Sequence, residues 1–429
     1  MPEPSPAEAG APAATAYRAP KGTRDVLPPE SARWELLIAR FADQVERAGY
    51  GLLQSPMFEE IGVFRRLGEG TDVVRKEMYD FLDKGERHIA LRPEGTGSVV
   101  RAYVEHRPPT PWKVWYAAPS FRYEAPQAAR YRQHHQLGVE AIGSADPDLD
   151  VEVIALLWDF FESLGLRRVE LLINSMGTPD DRTRFVNRLR SFLVDHIDEL
   201  AREDREKLEE HPLRVLDSKR EATKAVTVGA PNILDQLSDG ATTHFERVQN
   251  GLRAAGVPHR VEPRLVRGLD YYTHTTFEFQ SSAIDAAQNT IGGGGRYDGL
   301  VEALGGPPTP GIGFGSGIER VLLTCDAEGV FPTPDRAVDV FVVDVTGGEH
   351  ARDLTLELRR LGIAVDRAYD SRSMRAQMKA ADRSGARIVV IVGEDEVESG
   401  VVTVRDLRGD SGQQQMDRGD LDEQLRKLL

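Results

Sequence analysis

The chain has 429 residues, 40 % of them apolar, and a formal net charge of −15 from 54 basic and 69 acidic side chains. This length and composition predict a large buried core divided among two or three domains. The acidic balance excludes a protein that holds nucleic acid through a general positive field, so any nucleic-acid site must be local. The one cysteine, Cys325, excludes a disulfide framework and a cysteine-rich zinc site, and it fits a reducing compartment.

The first 16 residues are rich in alanine, proline and glutamate, which predicts a disordered tail. They lack the basic and apolar regions of a signal peptide, and no apolar run approaches the ~20 residues of a membrane-spanning helix. We therefore expect a cytoplasmic protein without a membrane partner.

An amphipathic helix is predicted for residues 31 to 48, followed by a strand that ends at Pro56. The apolar positions that recur at helical spacing are Trp34, Leu37, Phe41, Val45 and Ala48. This periodicity predicts that one face of the helix packs against the core.

Residues 121 to 143 read as strand, loop, strand, with a polar turn around Pro126. In the second strand, apolar positions alternate with polar or small ones. Because side chains alternate across a strand, Gln136 and Glu140 are predicted to point to the same face.

Charged, amphipathic helical patterns dominate the stretch from about residue 175 to 260, which predicts a helical insertion in the larger domain. The next segment, Arg267–Phe279 (RGLDYYTHTTFEF), joins a fixed cation to Tyr271 and Tyr272 at the head of a β-patterned run. A cation and two ring hydroxyls can grip a small zwitterion. The plain alternative for two tyrosines in a strand is cross-strand packing.

Two glycine-rich stretches follow. Ile291–Leu300 (IGGGGRYDGL) has four successive glycines, which let backbone approach a ligand but are also common in loops. Gly311–Arg320 (GIGFGSGIER) predicts a strand running into a helix that opens near Ser316. A nucleotide phosphate can be accommodated there.

A proline-marked linker is predicted at residues 331–337, and strand and helix patterns alternate through residues 338–429, as in a small α/β domain. One predicted helix there carries a stripe of basic side chains that includes Arg372, Arg375 and Lys379. The stripe is either a local nucleic-acid contact or an ordinary solvated face.

Several of these segments resemble class II aminoacyl-tRNA synthetases. Ala48–Glu60 (AGYGLLQSPMFEE) resembles motif 1, Phe121–Gly143 motif 2, and Gly311–Arg320 motif 3. Within that class, Leu91–Thr96 (LRPEGT), RGLDYY and GGRYDGL resemble the histidyl-tRNA synthetase family, and the likeness covers nearly the whole chain after residue 17.

The resemblance implies an α+β class II catalytic domain at residues 17–330, an antiparallel sheet flanked by helices, with the helical insertion inside it. Residues 338–429 would form the small α/β anticodon-binding domain. It also implies a homodimer joined through motif 1. The implied reaction has two steps: ATP activates L-histidine to histidyl-adenylate, and histidine then passes to the 3′ end of tRNA(His).

Fixed cations are implied for the phosphate chemistry. The carboxylate of histidine must attack the α-phosphorus of ATP, so two anions meet and the growing charge needs neutralisation. By resemblance, Arg122 holds the α-phosphate and the substrate carboxylate, Arg267 reaches the α-phosphate from the other side, and Arg320 holds the distal phosphates or adenine. Guanidinium suits these places because it stays charged and binds oxygens in pairs. Mg²⁺ is expected to bind with ATP.

Recognition of histidine is implied to use other groups. By resemblance, Glu94, Thr96 and Gln136 take the α-amino group, while Glu140 and Tyr272 pair with the two imidazole nitrogens. A carboxylate opposite a phenol matches both edges of imidazole, and a substrate lacking those edges is penalised by as much as ~10⁴.

The remaining implied contacts surround these groups. Tyr271 and a loop at Gly292–Gly295 would shape the pocket wall, and Glu319 would belong to the ATP site. His134 stands where the family commonly has a phenylalanine that stacks on adenine. Imidazole can also stack, but over a smaller area.

Motif 2 departs from the usual family pattern where the tRNA acceptor end is gripped. The family commonly has ERPQ followed by Gly-Arg, whereas this chain has EAPQ followed by Ala129-Arg130, so an arginine is lost at Ala125. The candidate tRNA contacts are Gln127, Arg130, Arg372, Arg375 and Lys379.

Two other functions stay open at this point. The synthetase-like regulatory subunit of ATP phosphoribosyltransferase keeps the catalytic fold without charging tRNA, but it usually lacks the C-terminal domain and degrades the signatures that are intact here. A non-catalytic tRNA-sensing module, of the kind fused to stress kinases, is disfavoured because this sequence contains no kinase motifs.

Overall fold

A computed structural model describes residues 17–66, 73–124, 130–208, 212–216, 218, 220–265, 271–284, 289–334, 338–370, 372–409 and 412–429. The tail predicted for residues 1–16 lies outside these ranges. The chain divides into two compact units, Met1–Pro332 and Thr333–Leu429. Each unit has its own sheet and its own hydrophobic core.

Unit 1 begins with helix α1 (Glu30–Arg47), which confirms the predicted amphipathic helix; Leu37, Phe41 and Val45 are fully buried on its apolar face. A π-helical turn lies at Val73–Glu77. The other elements up to the middle of the unit are β1 (Gly51–Leu52), β2 (Phe58–Glu60), α2 (Ile61–Arg65), β3 (Tyr79–Leu82), β4 (His88–Leu91), α3 (Thr96–His106), β5 (Trp112–Phe121), β6 (Gln133–Ile142) and α4 (Pro147–Ser163).

The chain between strands β7 (Val169–Ser175) and β8 (Arg260–Val261) of unit 1 is helical, as the charged amphipathic pattern predicted. Helix α5 starts in a capping box, in which the side chains of Thr178 and Asp181 each accept from the other's backbone N–H. Short 3-10 turns lie at Ile197–Glu199 and Ile233–Gln236. The elements are β7 (Val169–Ser175), α5 (Pro179–Asp195), α6 (Arg202–Leu208), α7 (Leu213–Leu216), α8 (Glu221–Thr227), α9 (Asp239–Ala254), β8 (Arg260–Val261), β9 (Thr273–Ser281), β10 (Thr290–Arg296), α10 (Leu300–Ala303), β11 (Gly311–Gly317) and α11 (Ile318–Glu328).

The central sheet of unit 1 has eight strands in the order β1-β5-β6-β11-β10-β9-β7-β8. The strands from β5 to β7 pair antiparallel, and the edge strands β1 and β8 run parallel to their partners. A separate three-stranded antiparallel sheet has the order β2-β4-β3. The predicted antiparallel sheet flanked by helices is thereby confirmed.

The glycine run was predicted to be a loop, and this is wrong. Gly292–Gly295 lie in β10, in the middle of the sheet, paired with β9 on one side and β11 on the other. A Cβ atom on Gly294 would overlap the carbonyl oxygen of Gly313 on β11. Glycine is therefore required because neighbouring backbone comes too close for a side chain.

Side chains of alternate strand residues enter hydrophobic clusters on the two faces of the sheet. Trp115 of β5 packs with α1, α4, α9 and α11, whereas Val114 and Tyr116 pack with α2 and α3. The helices thus cover the sheet on both faces and leave its central strands as a rigid platform.

A buried ion pair crosses this core. Asp150 on α4 and Arg296 at the end of β10 are both fully buried, and Arg296 Nε donates to Asp150 Oδ1 at 3.0 Å. Asp150 Oδ2 also accepts from Thr275 Oγ1 at 2.6 Å and lies 2.8 Å from His244 Nε2 of α9. Although burial opposes ionisation, His244 and Arg296 hold the pKa of Asp150 below its usual value. The pair anchors the end of β10 and so positions Tyr297.

Unit 2 has a five-stranded sheet in the order β13-β12-β14-β15-β16, in which β13, β12 and β14 are parallel and the last two strands antiparallel. All of β12 is buried, as expected for a parallel strand with both faces covered. The predicted small α/β domain is confirmed. Its elements are β12 (Val340–Asp344), α12 (Glu349–Arg360), β13 (Val365–Arg367), α13 (Met374–Arg383), β14 (Ile388–Val392), α14 (Glu394–Ser399), β15 (Val401–Asp406), β16 (Gln413–Asp417) and α15 (Leu421–Leu428).

Candidate active site

Unit 1 contains an open cavity of about 190 Å³ over strands β6, β10 and β11. Motif 2, the glycine strand and motif 3 all contribute to its wall. The cavity brings together six residues singled out from sequence, which are Arg122, Arg130, His134, Gln136, Glu319 and Arg320.

Three guanidinium groups face this cavity. Arg122 follows β5, and its Nε donates to the carbonyl oxygen of Pro93 at 2.8 Å. Arg320, near the start of α11, donates to the carbonyl oxygen of Thr290 at 2.9 Å. Burial, and then the charges of Arg130 and Arg122, lower the pKa of Arg320 from its usual value. Glu124, which pairs with Arg130, and Glu319 line the same cavity, so cations outnumber acids there and the cavity can receive an anion.

Glu319 ties motif 3 to motif 2. Its side chain is nearly buried, and its two carboxylate oxygens accept from the backbone N–H of His135, each at 3.1 Å. Nδ1 of His135 lies 3.0 Å from Oε1 of the same carboxylate. Beside it, burial and the cations around the cavity lower the pKa of His134 to about 3, so this ring is neutral at pH 7.

A buried acid lies farther along β6. Glu140 is fully buried, and its carboxylate accepts from Thr96 Oγ1 and from the hydroxyl of Tyr297, each at 2.6 Å. Burial is the main cause that raises the pKa of Glu140 to about 8, and the charge of Glu94 adds to it. A Cβ atom on Gly313, which is paired with Glu140 across the sheet, would overlap this carboxylate.

Glu94 lies next to this group at the start of α3. Its carboxylate oxygens accept from the backbone N–H of Thr96 at 2.9 Å and of Gly97 at 2.7 Å, which satisfies two free donors of the helix. Burial raises the pKa of Glu94, while these bonds and the charge of Arg122 oppose the rise. Thr96 therefore joins two buried carboxyl groups, one through its N–H and one through its hydroxyl.

Tyrosines enclose these acids. The rings of Tyr271 and Tyr272 lie 4.8 Å apart, and the ring of Tyr271 lies 6.1 Å from that of Tyr297. On β5, the ring of Tyr116 leaves no room for a Cβ atom at Gly95 or Gly138. Sequence reasoning assigned no role to Tyr297 or Tyr116. The signature GGRYDGL contained the signal for Tyr297, whereas no signal marked Tyr116.

Two of the residues singled out from sequence, Arg267 and Gln127, lie outside the described residues. In unit 2, Arg372 lines a cavity of about 320 Å³ together with Arg367 and Tyr369. Arg375 and Lys379 are exposed on α13. The predicted basic stripe is thus solvent-accessible, and one of its members borders a cavity.

Comparison with known proteins gives the family. The family model described as histidyl-tRNA synthetase matches residues 22–321, and one described as an anticodon binding domain matches residues 339–428. A histidine–tRNA ligase from Halothermothrix orenii is 46 % identical over 421 residues, covering 96 % of this chain and 99 % of the relative. The enzyme of the same name from Rhodococcus erythropolis is 49 % identical over 400 residues, covering 92 % of this chain and 94 % of the relative.

A solved structure agrees with these sequence relatives. The apo histidyl-tRNA synthetase of S. aureus is 35 % identical and superposes with a TM-score of 0.82, covering 96 % of this chain and all of that one. The cavity and the buried acids thus lie within a fold and sequence shared with these relatives over nearly their whole length. This chain belongs to the histidyl-tRNA synthetase family.

Proposed function

We propose that the chain ligates histidine to tRNA(His) in two steps. The carboxylate of histidine attacks the α-phosphorus of ATP, forming histidyl-adenylate and releasing pyrophosphate. The terminal ribose hydroxyl of the tRNA then attacks the activated carbonyl, and AMP leaves. The observation that carries this proposal is that an arginine-lined cavity and a buried acid-phenol group lie along one strand, β6. Full-length protein should charge tRNA(His) with histidine in an aminoacylation assay.

Arg122 and Arg320 would neutralise the phosphates in the first step. Both face the cavity and both are held by a bond to a backbone carbonyl, so neither needs to reorganise as charge builds up. The family resemblance assigns the same role to Arg267. Mg²⁺ would bind with the phosphates, where Glu124 and Glu319 line the cavity, since such ions use one or two carboxylates plus substrate oxygens.

Glu140 and Tyr272 would recognise the imidazole of histidine, and Glu94, Thr96 and Gln136 its α-amino group. The contacts of Thr96 with both carboxyl groups support this division, because they hold the two acids in fixed positions near each other. The hydroxyl of Tyr297 would orient Glu140 through its hydrogen bond to the carboxylate. Tyr271 would form part of the wall.

His134 would stack on adenine, and a larger ring is expected to bind better. His134→Phe should lower the KM for ATP about two- to threefold, because stacking grows with ring area. The pKa of about 3 keeps His134 neutral from pH 6 to 8. Pyrophosphate exchange should therefore give parallel pH profiles of the KM for ATP in wild type and variant. A profile that becomes flat in the variant would show that His134 titrates and would contradict its neutral stacking role.

The tRNA would contact both units. Arg130 borders the cavity and would meet the acceptor end, together with Gln127, which is assigned from the family resemblance. Arg372, Arg375 and Lys379 would meet the anticodon stem-loop, where single-stranded bases and phosphates attract arginine and aromatic side chains. The proposed catalytic domain is residues 17–330 and the proposed anticodon-binding domain residues 338–429.

A fragment ending at Pro332 tests this division of labour. It should retain histidine-dependent pyrophosphate exchange, because every described residue of the cavity lies in unit 1. It should charge tRNA(His) at least about tenfold less efficiently, because the anticodon contacts are lost. In the full chain, alanine at Arg372, Arg375 and Lys379 should reproduce part of that loss and reduce its salt dependence. Full charging by the fragment would refute the proposed split.

A homodimer is proposed from an exposed apolar surface. The small sheet β2-β4-β3 and the adjoining edge strand expose several large apolar side chains, namely Leu52, Met57, Phe58, Phe81 and Leu82. A second copy of the same surface would cover these apolar side chains near the motif 1 segment. Sedimentation analysis should give twice the chain mass.

No helix among the described residues is both long and apolar enough to cross a membrane. A cytoplasmic location is proposed because the tRNA substrate is consumed there. The regulatory-subunit alternative is disfavoured by the full-length histidine–tRNA ligase relatives.

A further inference from the structure

The segment that precedes α1 runs beside the ATP-facing end of motif 2. The carbonyl oxygen of Gly22 accepts from the backbone N–H of Arg132 at 2.7 Å. The carbonyl oxygen of Arg132 in turn accepts from the backbone N–H of Arg122 at 2.8 Å. One residue, Arg132, therefore connects Gly22 to Arg122, which lines the cavity.

This connection lies just beyond the end of the regular pairing between β5 and β6. Pairing between β5 and β6 ends at Phe121 and Gln133. Beyond that point the two arms are joined by the Arg122–Arg132 backbone bond, and contacts from other segments, such as the N–H of Tyr123 donating to the carbonyl oxygen of Glu77 at 2.6 Å, hold this end beside the cavity. The backbone hydrogen bond from Arg132 to Gly22 is one of these contacts.

Gly22 fits this position because it has no side chain. Its φ is +83°, and a Cβ atom there would lie 2.6 Å from Cγ and 2.8 Å from Cδ of Arg132. Arg132 cannot move freely, since its guanidinium lies 3.8 Å over the ring of Tyr123 and its Nε donates to the carbonyl oxygen of Glu124 at 3.3 Å. A methyl group at position 22 would thus displace the residues that directly follow Arg122.

Arg24 contacts the same hairpin through cation–π interactions with aromatic rings. Its two terminal nitrogens donate to Glu30 at 2.9 and 2.7 Å, which fixes the guanidinium plane. The guanidinium carbon lies 5.4 Å from the ring of Tyr131 and 5.9 Å from that of Trp34. Tyr131 lines the cavity, and the ring of Trp34 is nearly perpendicular to that of His135, with the two ring centroids 4.9 Å apart.

We infer that Gly22 and Arg24 are positioning residues for ATP: the segment from Pro20 to Glu30 fixes the hairpin so that Arg122 and Tyr131 face the nucleotide. Neither Gly22 nor Arg24 lines the cavity, so both act through the residues they hold. The inference rests on the proposed adenylation function. It assigns a part in catalysis to a segment outside the three class motifs.

Gly22→Ala in the full chain tests the inference, with Gly49→Ala as its matched control. Gly49 has nearly the same φ, +84°, but a Cβ atom there would meet nothing within 4 Å. Both changes carry the same backbone strain, so any additional loss of melting temperature in Gly22→Ala comes from the collision with Arg132. In pyrophosphate exchange, Gly22→Ala should raise the KM for ATP about tenfold and change the KM for histidine less than about twofold. Gly49→Ala should change neither by more than about twofold.

Arg24→Gln provides a second test that does not depend on backbone strain. Its control is Arg260→Gln, which removes another exposed arginine that binds carboxylates, Glu170 and Glu262, away from the cavity. Arg24→Gln should raise the KM for ATP several-fold, and Arg260→Gln should not. Equal KM values for ATP in each variant and its control, or parallel changes in the KM for histidine, would overturn the inference. Wild-type protein without exchange activity would instead refute the proposed function.

Discussion

Arg122→Ala should lower the rate of histidyl-adenylate formation about 10² to 10³-fold, which is the cost of removing a preorganised donor to developing charge. The guanidinium is held by its Nε bond to Pro93 and faces the cavity together with Arg130 and Arg320. Lysine should restore part of the rate, since a point charge cannot bind two oxygens in parallel. Rapid-quench measurement of a single turnover separates this step from tRNA charging.

Arg359→Ala is the matched control for that experiment. Its Nε makes the same kind of bond, 2.8 Å to the carbonyl oxygen of Val365, but it lies in unit 2. Loss of an arginine–carbonyl contact by itself should therefore leave adenylation unchanged. Similar losses in Arg122→Ala and Arg359→Ala would mean that Arg122 acts through stability and that its proposed role is wrong.

Glu140→Gln should raise the KM for histidine about 10- to 100-fold, corresponding to about 1 to 3 kcal/mol for an unmatched polar partner. The amide keeps the shape of the carboxyl group but cannot ionise, whereas the acid, with its pKa of about 8, can release its proton and then accept from imidazole, Thr96 and Tyr297. The KM for ATP should change much less. Glu59→Gln, at another buried glutamate outside the cavity, is the control. Equal effects of Glu140→Gln on both substrates would refute its assignment to histidine.

The same substitution should stabilise the protein at alkaline pH. The pKa of Glu140 is about 8 in the fold against its usual 4.5, so the folded state keeps a proton that the unfolded state releases between these values. Wild-type stability therefore falls as pH rises through this range, by at most about 1.4 kcal/mol per pH unit from this group. The glutamine variant lacks this dependence. The difference between the melting temperature of the variant and that of wild type should increase steadily from pH 5 to pH 8.

Local patterns in the sequence predicted what depends on neighbours along the chain. Period-two alternation placed Gln136 and Glu140 on one face of β6, and helical spacing located α1. The family resemblance, carried by contiguous motifs, gave the fold class and the ligase family, both of which are confirmed. The roles of individual site residues and the bounds of the domains stay predictions.

Contacts between distant segments could not be predicted from these patterns. The bond from Tyr297 to Glu140 joins residues 157 positions apart, and no spacing rule reaches that far. The glycine run was taken for a loop because glycine is usually unfavourable in strands. Its place in β10 follows instead from the close approach of β11, which is a tertiary property.

The strand order of unit 1 has a consequence for how the protein is made. Strands β5 and β6 form one half of the sheet, and β7 and β9 belong to the other, but β10 and β11 join the two halves at the centre. These joining strands, Thr290–Arg296 and Gly311–Gly317, are the last of the unit to leave the ribosome. A nascent chain therefore carries two half-sheets with open inner edges, which favour non-native pairing. Closure at the centre, with Arg296 reaching Asp150 across 146 positions, makes folding a late and non-local event during synthesis.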